Sequence, residues 1–210
     1  EIIKRIKNGK TIALVSDAGA PLISDPGYPL IQRCIKEDIC FTVLPGPSAV
    51  INAVILSGLP SDKFLFNGFL PKQSEAKRKI ALKLQNSDTT HIYFESAKRI
   101  SKTISIFAEV LRPNTQLAIC REMTKEYESV YRGTIKEVLN LIKNNDITLL
   151  GEFVILVYPG SYSGSPLNLD ETFCRPFLDY LSPTDASKLI AKITSFSKQE
   201  VYKFLLGISK

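Results

Sequence analysis

The alternation of short β-branched runs with helix-length amphipathic stretches is the feature that most constrains the fold of this chain. Alternation of strands and helices is typical of α/β folds with a largely parallel sheet. The predicted strands are Thr11–Ser16, Ile39–Leu44, Lys63–Gly68, His91–Glu95, Gln116–Arg121 and Glu152–Tyr158. The predicted helices between them are Pro29–Glu37, Ser48–Ser57, Ser74–Gln85, Ser96–Val110 and Thr134–Lys143. The sequence therefore predicts the α/β fold class.

Two breaks divide the chain into predicted domains. Turn residues at 58–62 separate a first domain, residues 1–60, from a second domain, residues 61–159. Glycines and serines follow Pro159, so residues 160–183 are a predicted linker. Residues 184–210 form a predicted C-terminal helical segment. Its two short helices, Asp185–Phe196 and Gln199–Leu206, resemble a helix-turn-helix.

The first segment of the chain, Glu1–Asn8, has the pattern of the end of a helix that stops at Gly9. A helix at this position has no strand before it in the sequence. We therefore expect the first domain to be incomplete at its start.

Composition excludes several classes of protein. With 44% hydrophobic and 23% charged residues, the chain has enough apolar material for a folded core. No apolar run has the length of a membrane span, and no export signal is visible, so we expect a cytoplasmic protein.

The four cysteines are scattered, which fits a reducing compartment and argues against a structural zinc site. The single histidine, His91, begins a predicted strand. It is therefore interpreted as structural, and a Ser-His-Asp or Cys-His hydrolase is not expected.

The net charge of +6 is compatible with a polyanionic partner such as RNA. A lysine-rich surface that only solvates the protein would give the same balance. Charge alone therefore does not choose between these two interpretations.

The segment Val15–Gly27 is the most specific candidate for a binding site. Asp17 ends a predicted strand, and Ala18, Gly19 and Ala20 would allow a ligand to approach the backbone closely. Ligands of open α/β sheets bind beyond the carboxyl ends of the strands, where a carboxylate can accept hydrogen bonds. The alternative is a rigid strand-to-helix turn in which Asp25 caps the helix.

A Pro-Gly turn at 44–49 repeats this geometry, with Ser48 at the start of a predicted helix. Backbone N–H groups and a serine hydroxyl there suit a carboxylate or a ring nitrogen, although a simple N-cap has the same pattern. The G-x-x-x-x-G-K and G-x-G-x-x-G phosphate motifs are absent from the sequence. Nucleoside triphosphates and ordinary dinucleotides are therefore not expected ligands.

Charged residues follow two later strands. Glu95 and Arg99 follow one, and Arg121, Glu122 and Lys125 follow the other. Each junction alone could be a solvated turn. Together they predict a cluster of charges at one edge of the sheet, which favours a binding site there.

These motifs resemble those of the ribosomal RNA small subunit methyltransferase I family, which belongs to the tetrapyrrole-methylase-like enzymes. The resemblance covers nearly the whole chain, and the SDAG-x-P-x-ISDPG string is its most specific part. It is carried by VSDAGAPLISDPGYPLI (15–31), LPGPSAVINAVILSGLP (44–60), FLFNGFLPK (64–72), YFESAKRI (93–100), CREMTKEYESVYRGT (120–134) and GEFVILVYPG (151–160). The family's usual first strand with a Gly-Asn-Leu turn, and the Glu-Asp motif after it, are not found.

The resemblance implies two α/β domains of tetrapyrrole-methylase type, with S-adenosylmethionine in the cleft between them, and a small C-terminal helical segment. It implies methylation of a ribose 2′-hydroxyl on a cytidine in the decoding centre of 16S rRNA. The implied partner is the small ribosomal subunit, without a membrane or a metal, and a homodimer is compatible with the family. The implied cofactor-binding residues are Asp17, Ala20, Ser48, Ala49, Phe94, Arg121 and Glu152.

A ribose hydroxyl is a poor nucleophile, so a nearby base should assist the reaction. Glu95, Glu122 and Lys125 are the candidates, and the sequence does not choose among them. The predicted RNA-binding residues are Arg99, Arg121 and Lys125 at the sheet edge, and Lys188, Lys192, Lys198 and Lys203 on the tail.

Two alternatives remain open at this point. One is a porphyrin or corrin methylase on the same scaffold, since one fold hosts several substrates. The other is a non-catalytic RNA-binding protein. The lysine-rich surface, the FESAKR and REMTK strings and the helical tail favour RNA over a tetrapyrrole.

Overall fold

The computed structural model describes residues 1–16, 19–85, 87–160, 169–194 and 196–208. The chain divides into two compact units, residues 1–161 and residues 162–210. Within the described residues, the first unit holds a five-stranded sheet and six helices, and the second holds three helices. None of the described helices has the length and apolar character needed to cross a membrane.

The sheet of the first unit is mixed. In chain order its strands are β1 (Phe64–Phe69), β2 (Thr90–Ser96), β3 (Gln116–Arg121), β4 (Ser129–Thr134) and β5 (Glu152–Tyr158). Across the sheet the order is β1-β2-β5-β3-β4, and only β1 and β2 pair in parallel. The prediction of a largely parallel sheet is therefore wrong. The reason is that β5 lies antiparallel between β2 and β3, while β4 forms an antiparallel pair with β3.

The position of β5 brings three chain segments to one edge of the sheet. Because β2 and β3 are both antiparallel to β5, they run in the same direction and end at the same edge. β5 begins there: Glu152 pairs with Ser96 at the end of β2, and Phe153 pairs with Arg121 at the end of β3. The predicted meeting of these two strand ends is confirmed.

Helices cover both faces of the sheet. The helices of the first unit are α1 (Ile2–Lys7), α2 (Tyr28–Lys36), α3 (Ala49–Ser57), α4 (Ser74–Leu84), α5 (Ala97–Val110) and α6 (Ile135–Lys143). Alternate residues of a strand point to opposite faces. Ile119 and Ile155 accordingly pack with α4, α5 and α6, whereas Cys120 and Val154 pack with α3. This burial on two sides explains why β3 and β5 are continuous apolar runs.

Two of the predicted strands do not form. The structure assigns neither Thr11–Ser16 nor Ile39–Leu44 to a strand, and none of the ladders among the described residues includes them. A strand requires a neighbouring strand in a hydrogen-bonded ladder, and each ladder of the described residues is formed by other segments. Val15, Val43 and Leu44 consequently remain 78–84% exposed.

The other predicted elements agree with the structure to within a few residues. Gln116–Arg121 and Glu152–Tyr158 have the predicted bounds. Strand β4 was not predicted, because Ser129–Thr134 contains an arginine and a glycine and lacks a clear alternation.

The second unit is a cluster of three helices, α7 (Glu171–Leu178), α8 (Pro183–Ile193) and α9 (Lys198–Ile208). They bury Cys174, Ala186, Ile190, Val201 and Leu205 against one another. The two helices predicted for the tail are confirmed with shifted bounds. Helix α7 lies inside the predicted linker 160–183, and Asp170 caps it by accepting a hydrogen bond from Phe173 N at 2.8 Å. Residues 161–168, where the linker prediction is centred, lie outside the described residues.

Candidate functional site

The sheet edge at which β2 and β3 end opens into a pocket of about 560 Å³, which we call the edge pocket. It is lined by residues 14–16, 19–21, 23–26, 48–50, 69, 94–96, 123–125 and 151–154. Pockets of about 300–1,000 Å³ hold small-molecule ligands in proteins. Segments that are far apart in the sequence therefore form one cavity of ligand size.

The first half of the chain contributes two of the predicted motifs to the edge pocket. Ala20 lines it from the turn that follows residue 16, and Ser48 and Ala49 line it from the start of α3. Ser48 is also the N-cap of α3, because its hydroxyl accepts a hydrogen bond from Ile51 N at 3.4 Å. Asp17 lies outside the described residues, between Ser16 and Gly19, which both line the pocket.

Asp25 contacts Ser16, at the other end of the same segment. Its carboxylate accepts a hydrogen bond from the Ser16 hydroxyl. Helix α2 has Gly27 as its N-cap, and no side chain caps it. The interpretation of Asp25 as a helix cap is therefore wrong: this side chain joins the two ends of the segment and lines the edge pocket.

Aromatic rings form one wall of the pocket. Phe94, a predicted cofactor residue, meets the rings of Phe66 and Phe69 edge to face at centroid distances of 4.8 and 5.4 Å. Phe69 was not predicted as a site residue. It reaches the same side as Phe66 because the register between them shifts by one residue, and the Asn67-Gly68 pair inside the strand was the available signal for this bulge. The wall suits a planar ring.

Charged side chains from the loop between β3 and β4 and from the start of β5 form another part of the pocket. Lys125 Nζ lies 2.8 Å from Glu152 Oε2 and 3.1 Å from Glu122 Oε1. Glu122 Oε1 also accepts a hydrogen bond from Glu152 N at 2.8 Å. Lys125 and Glu152 line the edge pocket. Glu122 does not line it, and its carboxylate contacts the Lys125 ammonium and the Glu152 backbone N–H.

These contacts shift two pKa values in opposite directions. The backbone N–H of Glu152, helped by the Lys125 ammonium, lowers the pKa of Glu122 below its ordinary value of 4.5. The hydrogen bond to Glu152, helped by the one to Glu122, raises the pKa of Lys125 above its ordinary value of 10.5. At neutral pH the pocket therefore presents a charged ammonium held between carboxylates.

Arg121 does not reach the pocket. Its guanidinium donates hydrogen bonds to the backbone oxygens of Leu150 at 2.7 Å and Tyr127 at 3.1 Å. These bonds fasten the β3–β4 loop to the segment before β5. The structure therefore places Arg121 behind the pocket rather than among its lining residues.

Glu95 lies at the base of the pocket with its side chain fully buried. Its carboxylate contacts Lys77 Nζ at 2.6 Å, Arg99 Nη2 at 2.6 Å and Thr103 Oγ1 at 2.8 Å, and it accepts a hydrogen bond from Ser96 N at 3.0 Å. Lys77 was not predicted as a site residue. The available signal was its position on the apolar face of α4, which it shares with residues 80, 81 and 84.

The remaining predicted residues lie elsewhere. Lys188 and Lys198 belong to the second unit, and Lys188 forms an ion pair with Asp185 at 3.0 Å. His91 lies at the start of β2, where it hydrogen-bonds Ser87 at 2.7 Å and burial lowers its pKa. No group of three or more His, Cys, Asp or Glu side chains in the described part of the chain is arranged to hold a metal ion.

Comparisons with known proteins agree with this architecture. The family model of the Tetrapyrrole (Corrin/Porphyrin) Methylases matches residues 1–139. A protein of Rickettsia prowazekii (strain Madrid E), named ribosomal RNA small subunit methyltransferase I, is 38% identical over 96% of this chain and 72% of its own length. A protein of the same name from Vibrio cholerae serotype O1 is 36% identical over 97% of this chain and 71% of its own.

Among solved structures, a cobalt precorrin-4 methyltransferase aligns with a TM-score of 0.48 at 18% identity, over 74% of this chain and 67% of its own. The assignment rests on the family model and the two relatives, which confirm the resemblance drawn from the motifs. The family model also confirms the fold of tetrapyrrole-methylase type, and the structure confirms the C-terminal helical segment. Since the family model covers most of the chain and both relatives align along nearly all of it, the chain belongs to the tetrapyrrole methylase family of methyltransferases.

Proposed function

We propose that this protein methylates the ribose 2′-hydroxyl of a cytidine in the decoding centre of 16S rRNA, with S-adenosylmethionine as the methyl donor. The names of the relatives support an rRNA substrate. The observation that carries the proposal is the edge pocket, which joins a turn of small residues, an aromatic wall and the Lys125–Glu152 pair in one cavity. The substrate is the 16S rRNA of the small ribosomal subunit, so the protein would act in the cytoplasm.

The edge pocket fits the cofactor in size and chemistry. Phe94 and Phe69 offer apolar surface to a planar base, and Ala20 and Ala49 allow close approach to the backbone. The carboxylate of Glu152 suits a sulfonium or an ammonium group, and the Ser48 hydroxyl is a further polar contact. When bound, S-adenosylmethionine supplies an electrophilic methyl group. We include Asp17 among the binding residues because it follows Ser16 directly in the sequence. Arg121 does not line the pocket, so its role is to hold the β3–β4 loop in place.

Of the three candidate catalytic residues, Lys125 is the one that we assign to the reacting hydroxyl. The two oxygens of Glu95 already accept from four donors, so it is poorly placed to take another proton. Glu122 is a weak base because its pKa is lowered. The Lys125 ammonium can donate a hydrogen bond to the 2′-oxygen and hold it toward the methyl group. Orientation of this kind supplies much of the rate of a displacement reaction. Glu152 lies beside Lys125 with its side chain 77% exposed, so it can take the proton that the hydroxyl loses.

The charges around the pocket suit an RNA backbone. Residues 1–160 carry 21 lysines and arginines against 16 aspartates and glutamates. We assign Arg99 to a phosphate near the pocket, and Lys188 and Lys198 in the second unit to other phosphates of the RNA. Lys125, which the sequence also offered as a phosphate ligand, is kept for the reacting hydroxyl.

Methyl transfer to unmodified small ribosomal subunits tests the proposal. With radiolabelled S-adenosylmethionine, the label should appear on a 2′-oxygen of a decoding-centre cytidine. Lys125→Met should lower kcat by about a hundredfold, as expected for the loss of one donor to a developing charge. Lys63→Met is the matched control, since Lys63 precedes β1 at the opposite edge of the sheet and forms an ion pair with exposed Asp88 at 3.6 Å.

Three results would contradict the proposal. Transfer to a porphyrinogen but not to the ribosomal subunit would favour the tetrapyrrole methylase. RNA binding without S-adenosylmethionine binding in isothermal titration would favour the non-catalytic RNA-binding protein. Equal kcat values for Lys125→Met and Lys63→Met would remove Lys125 from the reaction.

A further inference from the structure

A cluster of buried charges lies directly behind the end of β2. Lys77 on α4 and Glu95 on β2 have side chains that are 2% and 0% exposed, and Arg99 on α5 is 26% exposed. Thr103, also buried, contacts both Lys77 and Glu95. Two cations therefore share one carboxylate, and the cluster carries one net positive charge.

Burial of charges in a protein core is costly unless every charge finds partners. Lys77 meets this requirement, because its ammonium contacts Glu95 and Thr103. Glu95 meets it through four donors. The uncompensated positive charge of the cluster thus falls on Arg99, the member nearest to solvent.

Arg99 is held by the two residues that end β2. Its Nε donates to Ser96 Oγ at 3.1 Å, and its Nη2 lies 2.6 Å from Glu95 Oε1. Ser96 and Glu95 both line the edge pocket. Within the described residues, the other three N–H groups of the guanidinium have no protein partner. A fixed guanidinium with free donors beside a pocket is suited to an oxyanion.

We propose that Arg99 binds one backbone phosphate of the substrate RNA and that Lys77 is a positioning residue, which holds Arg99 in place through Glu95. This inference rests on the proposed function. Lys77 anchors the inner oxygen of Glu95, so the outer oxygen stays in place for Arg99. Both a phosphate of the RNA and the carboxylate of the methyl donor are oxyanions that could accept hydrogen bonds from the Arg99 guanidinium. The phosphate is the assigned ligand because Arg99 lies beside the edge pocket and is not one of its lining residues.

Salt-dependent RNA binding tests this role, because each neutralised phosphate contributes about 0.7 to the slope of log affinity against log salt for single strands. The probe is a decoding-centre fragment of 16S rRNA, and the full chain is used. Arg99→Gln removes the phosphate contact. The double variant Lys77→Met with Glu95→Gln removes both buried charges together, so that neither is left unpaired. Arg78→Met is the matched control, since Arg78 is the neighbour of Lys77 on α4 and pairs with exposed Glu109.

We expect Arg99→Gln and the double variant each to lower RNA affinity about fivefold and to reduce the slope by about 0.7. Combining all three changes should add no further loss, because they remove the same contact. S-adenosylmethionine affinity should remain unchanged in Arg99→Gln, because Arg99 does not line the edge pocket. Arg78→Met should behave like the unmodified protein in both measurements.

A lower melting temperature with an unchanged slope in the double variant would show that the cluster is only structural and would overturn the inference. A loss of S-adenosylmethionine affinity with an unchanged RNA slope would assign the anion to the cofactor and overturn it as well. If the double variant does not fold, Thr103→Val replaces it, with an expected loss of about threefold in RNA affinity. Unchanged affinity would then overturn the inference. If the salt slopes change as expected but the unmodified protein transfers no methyl group, the result would contradict the proposed function and leave the role of Lys77 and Arg99 in place.

Discussion

Gly151 allows the carboxylate of Glu122 to reach the backbone at the start of β5. Its φ is +85°, a conformation that glycine adopts without strain. A Cβ added to Gly151 would lie 2.5 Å from Cδ of Glu122, where no real Cβ contact occurs. The hydrogen bond from Glu152 N to Glu122, and with it the position of Lys125, therefore depends on the absence of a side chain at residue 151.

We predict that Gly151→Ala destabilises the protein by about 2–3 kcal/mol, because backbone strain adds to the displacement of Glu122. S-adenosylmethionine binding should weaken as the Lys125–Glu152 pair shifts. Gly58→Ala is the control, because φ of Gly58 is +69° but no described atom lies within 4 Å of an added Cβ. It should cost only the strain, about 1 kcal/mol. Urea unfolding and isothermal titration measure both effects, and equal losses for the two variants would contradict the role given to Glu122.

At the scale of elements, the β3–β4 loop is held in place mainly by charges and backbone hydrogen bonds. Arg121 fastens its base to the oxygen of Leu150, and Lys125 fastens its middle to Glu152 and Glu122. Glu128 accepts a hydrogen bond from Thr124 N at 2.7 Å inside the loop. Only Met123 of this loop is deeply buried in the core against α3. The placement of the loop should therefore depend on pH more than the rest of the first unit does.

We predict that acid loosens this loop through Glu122. Since the folded pKa of Glu122 lies below its ordinary value, its ionisation stabilises the folded state above about pH 4.5. That contribution is lost as the pH falls through the lowered folded value. The melting temperature of the unmodified protein should thus exceed that of Glu122→Gln at pH 6, and the difference should shrink toward pH 3. An exposed control, Glu109→Gln, should run parallel to the unmodified protein. A constant gap for Glu122→Gln would be inconsistent with this explanation.

Across the whole molecule, positive charge is distributed unevenly. Residues 169–208 carry five basic and five acidic residues, so the excess positive charge falls largely on residues 1–160. Within the second unit Lys188 forms a close ion pair with Asp185, whereas Lys198 acts on the same carboxylate only from beyond ion-pair distance. Any phosphate-binding role of the helical segment should therefore depend on individual lysines rather than on its net charge.

We predict that Lys198→Gln weakens binding of a 16S rRNA fragment more than Lys188→Gln does. Loss of Lys198, which forms no close ion pair within the described part of the chain, should lower the salt slope by about 0.7 if it contacts a phosphate. Loss of Lys188 also frees the Asp185 carboxylate from its ion pair, so its net effect on RNA binding should be smaller. Filter binding between low and moderate salt gives both slopes. Slopes equal to that of the unmodified protein in both variants would exclude the helical segment from RNA contact.

The elements that depend on local sequence were predictable. Helix α5 and the strands Gln116–Arg121 and Glu152–Tyr158 follow from apolar periodicity and from β-branched runs, because these patterns act over a few residues. The structure also brings several of the predicted site residues to one pocket, and the roles given to them stay predictions. The edge pocket is lined by Ala20, Ser48, Phe94, Lys125 and Glu152. All but Ala20 lie within four residues of a helix start or a strand terminus, and these termini meet at one sheet edge. Ala20 follows a segment that forms no strand.

The sequence by itself determined most of the helices, with α7 as the exception, and also where the charged strand ends fall and, through its motifs, the family of the protein. Only the tertiary structure decided that β5 lies antiparallel between β2 and β3, and that 11–16 and 39–44 remain outside the sheet. It also decided that Lys77 is buried against Glu95 while Arg121 lies behind the pocket. The physical reason is the separation of the partners along the chain. The buried ion pair joins Lys77 and Glu95, 18 positions apart, and the pairing of β2 with β5 joins residues up to 66 positions apart, so no local pattern encodes these contacts.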